Sequence, residues 1–238
     1  KDTILSEDTH RKIERITDRL SQQEPIQYIL GYTDFCGRRF DIAPGALIPR
    51  PETEELTRLV ITENSGQPLR IADLGTGSGC IAVTLAFSLP DSKVEAWDIS
   101  TEALEIAQRN ARKHNTHVDF FQRDILRYDV SELPEGSLDI IVSNPPYIDE
   151  CDPHLGEGDV RFEPRSALVA ADHGLADLSH IIIQSRQHLV SNGWLLLEHG
   201  WTQGEAVRNL FLQAGFAQVE TCRDYGGNER LTVGKWHE

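Results

Sequence analysis

Asn144-Pro145-Pro146-Tyr147 directly follows the apolar run Leu138-Asp139-Ile140-Ile141-Val142-Ser143, and its residue types could hold a planar group that carries an NH2. Proline has no ladder N–H and restricts the residue before it, so a strand that runs into Asn-Pro-Pro stops abruptly at a rigid end. The two prolines keep their own carbonyls out of helix or sheet pairing, and the Asn144 side chain adds an amide oxygen that can accept an N–H. Tyr147 adds an aromatic wall able to stack on a planar group or face a cation. A plain turn from strand to loop would use the same residues, so the tetrapeptide gains meaning from what lies upstream.

Upstream, Ile71-Ala72-Asp73-Leu74-Gly75-Thr76-Gly77-Ser78-Gly79 runs from a strand straight into a helix. Glycines there let the backbone approach a ligand, and the turn's N–H groups with the helix dipole behind them favour a negative group on it. A dinucleotide is one such ligand. Its fingerprint, however, wants Gly or Ala where Cys80 stands, and Gly79 falls one residue early. Asp98 ends the next strand about twenty residues on, where a carboxylate can accept both hydroxyls of a ribose. Capping of the helix after Ser100 is the alternative use of Asp98.

The elements that must position these groups follow from periodicity. Ser6 to about Gln23 places Ile13, Ile16 and Leu20 at helical spacing and is closed by Pro25. Residues 26–48 read as short segments punctuated by Gly31, Gly37, Pro44 and Gly45, a hairpin connector. Pro51 with Glu52, Glu54 and Glu55 marks the first turn of a second helix, where a missing N–H and acidic charge both suit the dipole. From Leu69 the order is regular: strand Arg70 to Leu74, helix Cys80 to Leu89, strand Val94 to Trp97, helix Glu102 to Lys113, strand Val118 to Gln122, then the strand before Asn144. Helix Leu175 to Leu189, strand Trp194 to Leu197 and a helix opened by the capping box Thr202-Gln203-Gly204-Glu205 follow. Runs Ala217 to Cys222 and Arg230 to Val233 close the chain as a hairpin. Such alternation predicts βαβ units and a parallel sheet covered on both faces.

Composition bounds the function. The chain has 238 residues, and 23 Lys+Arg against 38 Asp+Glu give a formal net charge of −15. That balance disfavours affinity built on neutralising nucleic-acid phosphates. Cys36, Cys80, Cys151 and Cys222 are scattered, without a Cys-x-x-Cys pair or His at ligand spacing, so no zinc site or disulfide framework is signalled and reduced thiols are expected. No apolar run approaches the roughly 18 residues of a membrane span, and no secretory pattern opens the chain, so a soluble, cytoplasmic protein is expected. The absence of methionine reads as an incompletely represented amino end.

The order Asp-x-Gly-x-Gly-x-Gly, Asp73 to Gly79, resembles motif I of class I S-adenosylmethionine-dependent methyltransferases. Together with Asp98 and Asn144 to Tyr147 the chain is similar to amino-methyltransferases of the Asn-Pro-Pro-Tyr type, which methylate either adenine in DNA or a glutamine side-chain amide in protein. Pro25 to Gly31, Leu47 to Glu54, Phe162-Glu163-Pro164 with Ala167-Leu168, Glu198-His199-Gly200, Asp224-Tyr225-Gly226 and Asn228-Glu229-Arg230 resemble, from about Glu24 onward, the bacterial peptide chain release factor glutamine methyltransferases. The resemblance implies an α/β fold: a doubly wound, Rossmann-like, mostly parallel sheet with a C-terminal antiparallel hairpin. A shortened N-terminal helical segment (1–25) and a β-hairpin linker (26–50) would precede the catalytic domain (51–238).

It further implies S-adenosylmethionine as cofactor and S-adenosylhomocysteine as product. Asp73, Gly75, Thr76, Gly77, Ser78 and Gly79 would lie against the methionine end, with Arg50 closing over it, Asp98 on the ribose, and Asp124 and Ile125 at the adenine. Asn144, Pro145, Pro146 and Tyr147 would bind the substrate amide, with Asn144, Pro145 and Tyr147 in the catalytic roles and Asn144 also against the cofactor. The implied partner is a release factor carrying Gly-Gly-Gln, with no direct nucleic acid, membrane or metal. Glu198 could serve the ligand edge or pair with a neighbouring loop, and His199 reads as structural. A ribosomal-protein glutamine methyltransferase, a DNA adenine methyltransferase, a non-catalytic cofactor-binding module and a nicotinamide-dependent reductase are the competing readings.

Overall fold

The computed structural model describes residues 6–64, 66–125 and 136–237. Among them, seven strands form one sheet in the order β10-β11-β9-β6-β3-β4-β5. The five inner and edge strands β3 (Arg70–Leu74), β4 (Lys93–Asp98), β5 (Asp119–Gln122), β6 (Leu138–Ser143) and β9 (Leu189–Glu198) pair in parallel. The last two strands, β10 (Ala217–Arg223) and β11 (Glu229–Lys235), form the expected hairpin, and β11 adds to β9 antiparallel.

A parallel strand covered on both faces must be apolar on both, which is why these runs read as nearly continuous in the sequence. Ile71, Ile140, Val142 and Leu196 point into one buried cluster with Leu56, Val60, Val83 and Leu85. Their neighbours Ala72, Leu74, Ile141, Leu195 and Leu197 point into the other, with Leu178, Ile181, Val207 and Phe211. The first cluster is roofed by α3 (Pro51–Glu63), α4 (Cys80–Ser88) and part of α5 (Thr101–Lys113), the second by α7 (Ala176–His188) and α8 (Gly204–Gln213). The strand order reverses between β3 and β6, so the carboxyl ends of β3, β4, β6 and β9 converge on a switch-point crevice.

The amino-terminal part holds α1 (Glu7–Ser21), a helical turn α2 (Ile26–Leu30), and a hairpin of β1 (Tyr32–Phe35) and β2 (Arg38–Asp41). The connector is thus part helix: Gly31 in the left-handed region closes α2 before the hairpin begins. Residues 1–5 lie outside the described residues. Buried Asn110 ties the hairpin to α5 and the glycine loop, accepting from Asp41 N–H at 2.7 Å and donating to the Ser78 carbonyl at 2.9 Å. The short strands β7 (Ile148–Asp149) and β8 (Val169–Ala170) and the single turn α6 (Ala171–Gly174) lie beyond the sheet, with Asp172 and His173 in left-handed conformation.

The expected capping box before α8 does not form. The helix starts at Gly204 with Gln203 as N-cap and no side-chain cap. Gln203 turns outward instead: its Oε1 accepts Gly200 N–H at 2.8 Å and its Nε2 donates to the Tyr147 carbonyl at 3.0 Å. No described helix is long and apolar enough to cross a membrane. All four cysteine thiols are free.

Candidate active site

A cavity of about 450 Å³ opens at the switch point, lined among others by Gly75, Gly77, Asp98, Asp124, Ile125, Asn144 and Pro146. This lies in the size range of small-molecule sites. A recess of about 60 Å³ adjoins it, lined by Leu47, Arg50, Asn144, Pro145, Tyr147, Ile148, Val160, Ala167 and Leu168. Leu47, Asn144 and Ala167 are walls of both spaces.

The glycine loop is shaped from beneath. Gly75 and Gly77 have φ of +72° and +56°, and a Cβ on either would stand in open space on the cavity side. Gly79 faces the other way, where a Cβ would lie 2.8 Å from the Ala107 Cβ. Of the loop, Gly75 and Gly77 line the cavity, whereas Asp73, Thr76, Ser78 and Gly79 lie behind them. Asp73 is fully buried; its Oδ2 accepts from Thr76 Oγ1 at 2.6 Å and from Ala82 N–H at 3.2 Å. Burial, with Asp98 a minor contributor, pushes the Asp73 carboxyl up to about 7 against those two hydrogen bonds.

Three of the loop's N–H groups that could face an anion are already paired within the protein. Gly75 and Thr76 both donate to the Trp97 carbonyl, at 2.8 and 2.9 Å, and Gly77 donates to Asp98 Oδ2 at 2.8 Å. Asp73 takes one further N–H, that of Ala82 in the first turn of α4. This disfavours a pyrophosphate, and with it the reductase reading. Asp98 also accepts from Ser100 N–H at 2.9 Å, so the capping use and the loop-facing use coexist. Its two oxygens offer about four lone-pair sites, which leaves capacity for hydroxyl donors from the cavity.

At the end of β6, Asn144 Nδ2 donates to Thr53 Oγ1 at 3.2 Å, whereas Asn144 Oδ1 is buried with no hydrogen-bond partner. Thr53 in turn donates to Glu198 Oε2 at 2.6 Å, and Tyr147 OH donates to Glu198 Oε1 at 3.2 Å. Glu198 ends β9 and is 2% exposed. Its carboxyl is pushed up to about 7 by burial, against the two hydrogen bonds; Glu52 adds to the rise and Arg230 opposes it. Burial and the neighbouring Glu198 raise the Tyr147 phenol, so it stays a donor.

Arg50 lies in the recess and not in the larger cavity. Its guanidinium pairs with Glu163, whose other oxygen accepts Ile48 N–H at 2.9 Å. Arg50 thereby joins the segment after the hairpin to the 160–171 loop. His199 lines neither space: it is fully buried, with Nε2 2.9 Å from Thr232 Oγ1. The sequence did not mark Thr53, Gly45 to Leu47, Ser166 or Asp177 as site residues. Thr53 sat within a helix-opening segment, where a proline-and-acid signature explained it without reference to Asn144.

A family model described as methyltransferase small domain matches residues 35–156. Release factor glutamine methyltransferase of Escherichia coli (strain K12) is 49% identical over 238 residues, covering 100% of this chain and 84% of that protein. The protein of the same name from Vibrio cholerae serotype O1 is 44% identical over 237 residues, covering 99% and 82%. Two solved structures share the fold at low identity. A methyltransferase from Pyrococcus furiosus has a TM-score of 0.63 at 17% identity, over 94% of this chain and 99% of that one. A ribosomal protein L11 methylase from Lactobacillus delbrueckii subsp. bulgaricus has 0.59 at 24% identity, over 82% and 84%. Sheet order, crevice and family match define a class I methyltransferase. Its identity to curated relatives across the whole length is specific enough to go further, and the chain belongs to the release factor glutamine methyltransferase family.

Proposed function

We propose that this chain transfers a methyl group from S-adenosylmethionine to the side-chain amide nitrogen of the glutamine in the Gly-Gly-Gln motif of a peptide chain release factor. The supporting observation is Asn144, which lines both a cofactor-sized cavity and a narrow recess and whose Oδ1 is a buried acceptor without a partner. Leaving such an acceptor unpaired costs about 1–3 kcal/mol, which a substrate N–H would recover.

The larger cavity suits the donor. Gly75 and Gly77 leave free space where a side chain would intrude, Asp98 can accept ribose hydroxyls, and Asp124 and Ile125 would meet the adenine. S-adenosylmethionine supplies an electrophilic methyl group on a sulfonium sulfur. The chain's own residues must then localise a weak nucleophile, because the amide nitrogen shares its lone pair with the carbonyl. Asn144 Oδ1 and the Pro145 carbonyl would accept the two N–H protons and fix the nitrogen's orientation. Tyr147, held by its hydroxyl on Glu198, would pack on the amide plane. The methylated nitrogen is strongly acidic and loses its proton to water, so no base is assigned.

The recess of about 60 Å³ has room for a few water-sized groups, which favours the end of a side chain over a nucleobase. Radiolabelled methyl transfer to a release factor, ribosomal protein and duplex DNA, side by side, tests the reading. Label on the Gly-Gly-Gln glutamine of the release factor is expected, located by mass spectrometry. An unlabelled release factor beside labelled ribosomal protein or DNA would overturn it.

A further inference from the structure

We infer that Thr53 is a positioning residue: oriented by Glu198, it holds the Asn144 amide in the one orientation that presents an acceptor, and so selects a substrate group that donates. The inference rests on the amide-methylation reading for its substrate, and on three hydrogen bonds for its geometry.

A threonine hydroxyl has one proton to give. Glu198 Oε2, at 2.6 Å, takes it. Thr53 Oγ1 then meets Asn144 with a lone pair, so the atom facing it at 3.2 Å must be the NH2 and not the oxygen. An inverted amide would set two acceptors against each other in a buried place, since Thr53 is only 3% exposed. Oδ1 is thereby turned away from Thr53 and left without a partner. The same carboxylate receives the Tyr147 hydroxyl at 3.2 Å, so one buried anion sets both side chains of the tetrapeptide. Thr53 and Glu198 reach the site from α3 and β9, outside both the glycine loop and the tetrapeptide. No contact of either residue with the reacting atoms is required.

Thr53→Val removes the hydroxyl at nearly constant shape and frees the amide to invert. The kcat for release factor methylation is expected to fall about 100-fold, the scale of a misplaced reacting group, with cofactor affinity within threefold. Thr53→Ser keeps the hydroxyl and should restore kcat to within about threefold of wild type. Asn144→Asp offers acceptors in both orientations, so in that background Thr53→Val should cost less than fivefold. A Thr53→Val penalty equally large there, or near wild-type kcat in Thr53→Val itself, overturns the inference.

The ¹⁵N side-chain resonance of Asn144, assigned by its loss in Asn144→Asp, gives a readout independent of turnover. It should carry the shift of a hydrogen-bonded NH2 in wild type and Thr53→Ser, and lose it in Thr53→Val and Glu198→Gln. A resonance unmoved by these changes sinks the positioning role. That resonance pattern together with no methyl transfer by the wild type would sink the substrate reading alone. If Thr53→Val does not fold, Glu198→Gln decides by the same resonance.

Discussion

Gly77 and Asp98 are joined by a 2.8 Å hydrogen bond in which the glycine N–H donates to the carboxylate, from the end of one strand to the loop after another. Asp98 therefore has two tasks: it pins the loop that opens on the cavity, and it faces the cavity itself. Asp98→Ala is expected to weaken S-adenosylmethionine binding roughly 10- to 100-fold, the worth of one to two hydrogen bonds to a charged group. Isothermal titration checks this, and a dissociation constant within threefold of wild type would remove Asp98 from the site.

Gly77 and Gly79 should fail differently. Gly79→Ala must accommodate a Cβ against Ala107 at φ +80°, and is expected to cost about 2 kcal/mol of unfolding free energy. Gly77→Ala meets no neighbour but intrudes on the cavity, so its larger loss should be in cofactor binding. Urea denaturation and titration of both variants separate the two effects; identical profiles would contradict the opposite facing of these glycines.

The Asp73 carboxyl, pushed up from 3.8 to about 7, makes stability depend on pH with a definite sign. Between about pH 4 and 7 the native state holds this proton and the unfolded chain does not. The contribution is fully present below the unfolded value and is lost as pH rises through the folded one. Asp73→Asn mimics the neutral carboxyl and can still accept from Thr76 and Ala82. Its urea midpoint should decline less than wild type from pH 5 to 7.5, and parallel curves would show that Asp73 is ionised throughout.

Activity should respond to Glu198. As pH falls through about 7 this carboxyl takes a proton and ceases to be a pure acceptor for Thr53 and Tyr147. Glu52 and Arg230 face the same group, the first favouring protonation and the second opposing it. The expected kcat rises with pH between about 6 and 8 in the wild type, and Glu198→Gln should be both slower and flatter over that interval. A variant profile with the same apparent pKa as wild type assigns the titration elsewhere.

Asn144→Ala removes the unpaired acceptor. Methyl transfer should drop at least about 100-fold, as for loss of a preorganised polar contact at a reacting group. Cofactor affinity should change much less, and a variant with half the wild-type rate would disqualify Asn144.

The alternation of strands and helices was legible because β3, β6 and β9 are covered on both faces, so burial wrote nearly continuous apolar runs into the sequence. Gly75, Gly77, Asp98 and Asn144 were legible for a related reason. Each sits at the carboxyl end of a strand or just after it, and the strand announces the position. What escaped depended on partners distant in the chain. Thr53 and Glu198 are 145 residues apart and meet only in the fold. Arg50 pairs with Glu163, 113 residues further on, and lines the recess. The capping box before α8 was lost because Gln203 finds Gly200 and the Tyr147 carbonyl, a tertiary competitor that local pattern cannot register. The loop N–H groups read as open to an anion, and only the Trp97 carbonyl and Asp98 reveal three of them as occupied.

Leu47, Asn144 and Ala167 border both the larger cavity and the recess. With the same side chains serving as walls to two chambers, whatever adjusts them from one side alters the fit on the other. Linkage then requires reciprocity: if the first occupant changes the second's affinity by some factor, the second changes the first's by that same factor. The coupling between the two chambers becomes a measurable thermodynamic property of three side chains, equal whichever occupant enters first.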